Sequence, residues 1–175
     1  MGVQVHGDVM TCPRFVCDAM LGGLARWLRA AGYDASFEPQ IDDGVLVKLA
    51  AVQDRVLLSS DGGIFERNVI RDGTVRAFRV PRATAPVEQL AIVLRGLDLV
   101  AREPRCMACG GELAAVSKSD AVGHVPPRSL EAFDRFWQCA RCGKFYWHGT
   151  HWARITNVLA SLRTVRASGG AVEAR

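Results

Sequence analysis

Two short phrases in the chain, CMACGG (106–111) and CARCGK (139–144), each place two cysteines on a tight turn. Cys106 and Cys109 form the first pair and Cys139 and Cys142 the second, a few tens of residues apart. Four thiolates presented this way suit a tetrahedral Zn²⁺, and the glycines that follow, Gly110 and Gly143, ease each knuckle. Four cysteines close the coordination shell, which leaves no water on the ion to be activated, so the zinc is expected to be structural. A redox use of the pairs is the alternative. The other two cysteines carry no such signal: Cys17 lies in an apolar run and reads as a small core residue, Cys12 as an incidental exposed thiol. A second kind of chemistry rests on acids. Asp18 closes the run RFVCD (14–18), Asp61 closes RVLLSSD (55–61), and Asp42 and Asp43 open the helical pattern after YDASFE (33–38). Carboxylates gathered at one spot offer hard oxygen ligands to Mg²⁺ or Mn²⁺. The competing role is local, because an Asp ahead of a helix accepts hydrogen bonds from its first N–H groups, and Asp18 and Asp61 both stand in that position.

The elements around these residues decide whether they meet. RFVCD and RVLLSSD are apolar runs without alternation, as expected of parallel strands covered on both faces. YDASFE and TVRAFRV (74–80) read as two more strands. MLGGLARWLRAAGYD carries Leu21, Leu24, Leu28 and Ala31 at helical spacing, with Gly32 where a helix would end. DDGVLVKLAAVQD (42–54) and APVEQLAIVLRGLD (85–98) read as further helices, with Leu46, Leu49 and Ala50 inward in one and Leu90, Val93, Leu94 and Leu97 in the other. Arg26 and Arg29 are expected on the polar face of the first helix, facing solvent or a phosphate. Strands alternating with helices predict an α/β fold, a parallel sheet in three α/β/α layers, and in such sheets reacting groups collect beyond the carboxyl ends of the strands. No glycine-rich fingerprint accompanies a strand-to-helix turn, since GGLARW is neither GxGxxG nor a P-loop, which disfavours a nucleotide-cradling loop.

Composition divides the chain. The net charge is +4, with 49% hydrophobic and 23% charged residues, globular values that leave no apolar stretch able to span a bilayer. The N-terminus has no basic segment followed by an apolar one, so a cytoplasmic location with reduced thiols is expected and no membrane partner. Residues 1–102 balance their charges, whereas 103–175 hold the whole basic excess and most of the aromatics. Arg128, Arg141, Lys144, Trp147 and His151 are candidates to grip phosphates and stack unpaired bases. For any single aromatic the competing role is core or docking, because a small zinc module has little else to pack. The last helical pattern, HWARITNVLASLRTVRA (151–167), sets Trp152, Ile155, Leu159 and Leu162 on one face, expected to pack back on the first module.

With both modules in view the sequence resembles the Mut7-C RNase domain family, a PIN-like family carrying a zinc ribbon. FVCDAMLGGLARWLRAAGYDA (15–35), VLLSSD (56–61), VPPR (125–128) and FWQCARCGKFYWHGTHWARI (136–155) carry the likeness, which runs from residue 14 to about 160. The resemblance implies a PIN-like domain over 14–102, a Cys₄ ribbon over 103–150 and the closing helix over 151–167. It also implies a metal-dependent ribonuclease in which Asp18, Asp61 and Asp43 hold Mg²⁺ or Mn²⁺, with further acids drawn from Asp42, Glu38 or Asp34. The chain departs from the family after Asp61, where Gly62 and Gly63 replace a basic residue. The expected activity is hydrolysis of single-stranded RNA, with the ribbon aiding binding and a protein partner left open. The alternative is a catalytically silent RNA-binding or ribosome-associated adaptor, whose acids are helix caps.

Overall fold

A computed structural model describes residues 12–168, with side chains through residue 162. Strands β1 (Phe15–Cys17), β2 (Ala35–Phe37), β3 (Val56–Ser59) and β4 (Ala77–Arg79) form one parallel sheet in the order β2-β1-β3-β4. Phe15 pairs with Ala35 and Val56, and Cys17 with Phe37 and Leu58. The first and third acid-bearing strands are thus direct neighbours.

Successive strand residues point to opposite faces, and both faces are covered. Phe15, Cys17, Val56 and Leu58 enter a core with Leu24 and Leu28 of α1 (Gly22–Ala30) and Leu90 and Val93 of α5 (Pro86–Gly96). Val16 and Leu57 enter the opposite core with Leu46, Val47 and Ala50 of α2 (Asp43–Val52). This two-sided burial explains the runs without alternation, and each buried Leu or Val contributes roughly 1.5–3 kcal/mol to the layered arrangement. Two short helices, α3 (Gly62–Phe65) and α4 (Asn68–Arg71), join β3 to β4. Helix α1 stops where expected: Gly32 has φ +92°, and a Cβ there would stand 2.5 Å from the carbonyl oxygen of Glu103. The returning chain therefore passes directly over the end of α1.

The remaining strands form a separate antiparallel sheet, β5 (Leu113–Val116), β6 (Phe136–Cys139) and β7 (Phe145–Trp147), preceded at β6 by α6 (Pro127–Ala132). Ala121, Val125 and Phe136 form its small core, with Phe133, Phe145 and Trp147 packed around it. Several aromatics of this region are therefore structural. Helix α7 (Thr150–Ser168) then returns to the parallel sheet: Ile155 is buried, and Leu159 and Leu162 pack against the α1/α5 core. Among the described residues no helix is long and apolar enough to cross a membrane.

Arg29 departs from its expected place. It is 5% exposed, on the same face as Ala25 one turn earlier, and its guanidinium donates to three backbone carbonyls. Nε reaches Ala35 O of β2 at 2.8 Å, and Nη1 reaches Ala108 O at 2.8 Å and Met107 O at 3.2 Å inside the first cysteine turn. Burial pulls its pKa below the ordinary guanidinium value, while the sulfurs of Cys17, Cys109 and Cys106 and the Asp34 carboxylate push it back up. Arg26, one turn away, is exposed as expected. Truncating Arg29 strands buried carbonyls, so Arg29→Ala is expected to lose about 3 kcal/mol or more in urea denaturation, and Arg29→Lys much of that, since one ammonium cannot span the three acceptors. Arg26→Ala is expected to stay within about 0.5 kcal/mol of the wild type.

Candidate functional site

The acids occupy the carboxyl edge of the parallel sheet. Asp18 follows β1 and is 6% exposed. It caps no helix: α1 begins behind Leu21 and has no side-chain cap. Its Oδ2 instead accepts from the buried Ser59 hydroxyl of β3 at 2.5 Å, and the same Ser59 Oγ accepts the Asp61 backbone N–H at 2.9 Å. Ser59 thus ties the ends of β1 and β3 together through one oxygen. It carried no signal in the sequence beyond its place two residues before Asp61.

Asp61 does act as a cap, its Oδ1 accepting from Gly63 N–H at 2.9 Å at the start of α3. Asp42 caps α2, accepting from Gly44 and Val45 N–H groups at 2.7 and 3.3 Å. Asp43 lies in the first turn of α2, loosely paired with Arg67 at 3.9 Å. Asp34 stands at the opposite end of the sheet, just ahead of β2, where Arg55 holds it at 3.0 Å, so it cannot join the others. Glu38 follows β2 and is exposed. The carboxylates share an edge without being drawn into one coordination set: among the described residues, the group of three or more ligating side chains within reach of one ion is the cysteine cluster. One buried polar atom is left over at this edge, the Ser60 hydroxyl, which has no hydrogen-bond partner.

A cation also stands here that the sequence did not single out. Arg79 ends β4 opposite Ser59, and its guanidinium lies over the Phe65 ring at 4.4 Å. Its Nη1 sits 3.8 Å from where a Gly62 Cβ would be, which brings positive charge beside the residue that follows Asp61. The signal lay in an arginine closing a parallel strand at the acid edge.

Cys106, Cys109, Cys139 and Cys142 meet as the spacing predicts, all four Sγ atoms within 4.8 Å of one another. Cys106 and Cys142 are 3.6 Å apart and Cys109 and Cys139 3.5 Å, close to the roughly 3.8 Å between sulfurs around a tetrahedral zinc. Gly110 and Gly143 take positive φ, +79° and +72°, and a Cβ on Gly111 would press on the Cys139 sulfur at 2.7 Å. The donor set fits a structural Zn²⁺. Its outer contacts are built in as well: the Tyr146 hydroxyl lies 3.0 Å from Cys106 Sγ, and Gly111 and Arg141 N–H groups point at Cys109 and Cys139 sulfurs. Burial raises the Cys106 thiol, but the bonds from Tyr146 and from the Cys109 and Ala108 N–H groups outweigh it and bring the pKa down to about 6. Cys109 goes up to about 12 through burial and the thiols it faces, and Tyr146 is raised by burial and by Cys106. Four thiols crowded this way compete over protons, a conflict that a divalent ion resolves by replacing them.

Of the five residues expected to grip RNA, three meet. Lys144, Trp147 and His151 line a cavity of about 1060 Å³ between α1, the ribbon and the start of α7. Arg128 is exposed on α6 outside that lining, and Arg141 donates Nη1 to Cys109 O at 2.9 Å, joining one knuckle to the other. Another aromatic of the cavity, Trp152, stacks on His148 with centroids 5.0 Å apart, and His148 stacks on Trp137 at 4.4 Å. Periodicity placed Trp152 on the packing face of α7 and could not show this column.

Residues 13–159 match the family model described as the Mut7-C RNAse domain. No curated protein and no solved structure matches the chain. The matched span takes in both the acid edge and all four cysteines. Replacing the exposed ligand, Cys142→Ser, is expected to cut bound zinc measured by atomic emission far below that of the wild type and to lower the melting temperature by about 10 °C, whereas Cys12→Ser leaves both unchanged.

Proposed function

The chain belongs to the Mut7-C RNase domain family, and from that premise we propose that it is a metal-dependent ribonuclease hydrolysing single-stranded RNA at the carboxyl edge of its PIN-like sheet. The observation that carries the reading is the Asp18 carboxylate, buried yet supported by one neutral hydroxyl. A buried carboxylate without a cation is costly, and among the described residues neither a helix N-terminus nor an arginine partners it. Asp18, Asp61 and Asp43 are the residues that would hold Mg²⁺ or Mn²⁺, with the Ser60 hydroxyl as a further oxygen at the same edge. Such ions, when bound, generate a hydroxide from water near neutral pH and stabilise charge on phosphate oxygens. Ser59 orients Asp18, and the cap to Gly63 engages Oδ1 of Asp61 alone. Arg79 supplies positive charge for a phosphate at this edge. Products are then 5′-phosphates and 3′-hydroxyls, with no histidine base required.

In this reading residues 14–102 form the catalytic unit, 103–150 a zinc ribbon aiding RNA binding, and 151–167 the helix that joins them. Zinc held by four thiolates suits a reducing cytoplasm. The competing reading, a silent RNA-binding or ribosome-associated adaptor, is favoured by one observation: Asp61 and Asp42 are engaged as helix caps.

Cleavage of a 5′-labelled single-stranded RNA in Mn²⁺ separates the two. The wild type is expected to cut, and the zinc-loaded Asp18→Asn/Asp61→Asn variant to be slower by more than about a hundredfold. Equal cutting by both would remove the acids from the mechanism. If neither cuts and both bind RNA equally, the adaptor reading replaces this one.

A further inference from the structure

The cavity between the two modules lies beside the acids rather than on them. Its lining begins at Gly22, four residues after Asp18, and includes Phe37, the last residue of β2 at the carboxyl edge. From there it runs between the first turns of α1 and α7 and strand β7. We infer that this cleft holds a run of unpaired nucleotides leading away from the cutting edge, with Arg26 and the open N-terminus of α1 as its second wall. The inference deepens the ribonuclease reading and rests on it for the nature of the ligand.

Charge makes the first argument. Among the described residues no acid lines the cavity, whereas Arg26, Lys144 and His151 do. Among the described residues no hydrogen bond or ion pair engages these three side chains, unlike Arg29 behind them, whose donors are taken by carbonyls. No side chain caps α1, and no acid lies in its first turn, so its N–H groups add positive potential on the same side. A polyanion fits this surface.

Shape makes the second. At about 1060 Å³ the cavity lies just above the roughly 300–1,000 Å³ range of small-molecule pockets, so it suits several linked groups rather than one. Phe145, Tyr146, Trp147 and Trp152 give it flat apolar walls, and the Trp152 indole is held by the His148 and Trp137 rings behind it. A ring fixed before the ligand arrives loses little entropy on stacking a base. Bases offer such faces when they are unpaired, whereas a duplex keeps them stacked inside its own helix. Neither module forms the cleft alone, so the ribbon grips RNA through its contact with α1.

Anisotropy of a labelled single-stranded oligouridylate, titrated with the zinc-loaded full chain without added Mg²⁺ or Mn²⁺ and at several salt concentrations, tests this directly. Arg26→Ala and Lys144→Ala are each expected to weaken binding several-fold and to reduce the salt slope by about one. Trp152→Ala is expected to weaken it roughly tenfold or more, and Arg71→Ala on exposed α4 to bind as the wild type. Wild-type affinity and slope in Arg26→Ala would overturn the inference, and that exposed position leaves the fold intact. Equal displacement of the RNA by polyglutamate of the same length, or equal binding of a blunt duplex, would overturn it too. If no preparation cuts RNA in Mn²⁺ while the Arg26 and Trp152 losses appear, the cleft stands and the nuclease chemistry falls. If the wild type cuts and Arg26→Ala both binds and cuts as well, the chemistry stands and the cleft falls.

Discussion

One buried guanidinium holds the two halves of this molecule in register. Arg29 reaches β2 with one donor and the first cysteine turn with another, so helix, sheet and knuckle converge on a single planar group. The rigid fork of an arginine suits this task, because its donors diverge in one plane toward acceptors that belong to different elements. Electrostatics adds a second reason. A zinc held by these four thiolates would leave a net double negative charge, and Arg29 is a cation lying near Cys106 and Cys109. Desolvating the arginine is unfavourable by itself, and the carbonyls and sulfurs around it offset that penalty. The backbone follows the side chain: Arg105 N–H donates to Arg29 O at 2.9 Å, and Arg102 N–H to Ala31 O at the same length.

The acid edge is organised differently, by strand ends rather than by a bridging cation. Parallel pairing sets Cys17 beside Leu58, so the next residue on each side brings the Ser59 hydroxyl to the Asp18 carboxylate. Capping occupies side chains that an ion at this edge would need. Asp18 is free of that competition because a turn separates it from α1, with Leu21 N–H bonded to Asp18 O at 2.8 Å and the carboxylate turned inward. Asp61 is divided, with one oxygen given to α3. Asp42 belongs to α2, and Asp43, one residue later, is left with a long contact to Arg67. Adjacent acids thus take different roles because a helix accepts one cap.

What could be read from the sequence follows the range of the interactions. The parallel sheet was legible because strands buried on both faces must be apolar throughout, and Phe15 to Cys17 and Val56 to Leu58 are. The knuckles were legible because a CxxC turn fixes its own geometry within six residues. Arg29 was not, since helical periodicity reports which face a residue occupies and says nothing of what lies across from it. Its spacing of one turn from buried Ala25 was the available hint. The aromatics were ambiguous for the same reason: Phe136 is core, Trp147 lines the cleft, and Trp137 stands behind it in a stack, a division set by pairing between β6 and β7. Short helix α4 and the ribbon strands have too few residues for any periodicity to emerge.

These two organising devices meet in the position of β7. The strand follows directly from the second knuckle, and its Tyr146 hydroxyl rests on the Cys106 sulfur, so the cysteine cluster sets where Phe145, Tyr146 and Trp147 stand. Arg29 in turn sets where the first knuckle stands relative to α1, and α1 begins four residues after Asp18. The cysteine cluster is therefore linked through these contacts both to the wall of the cleft and to α1. Closed coordination would remove a zinc held by these thiolates from chemistry, yet in this arrangement the cluster fixes the separation between an aromatic wall and an acidic edge. The proposed RNA, reaching from one to the other, would meet a span that the four cysteines set.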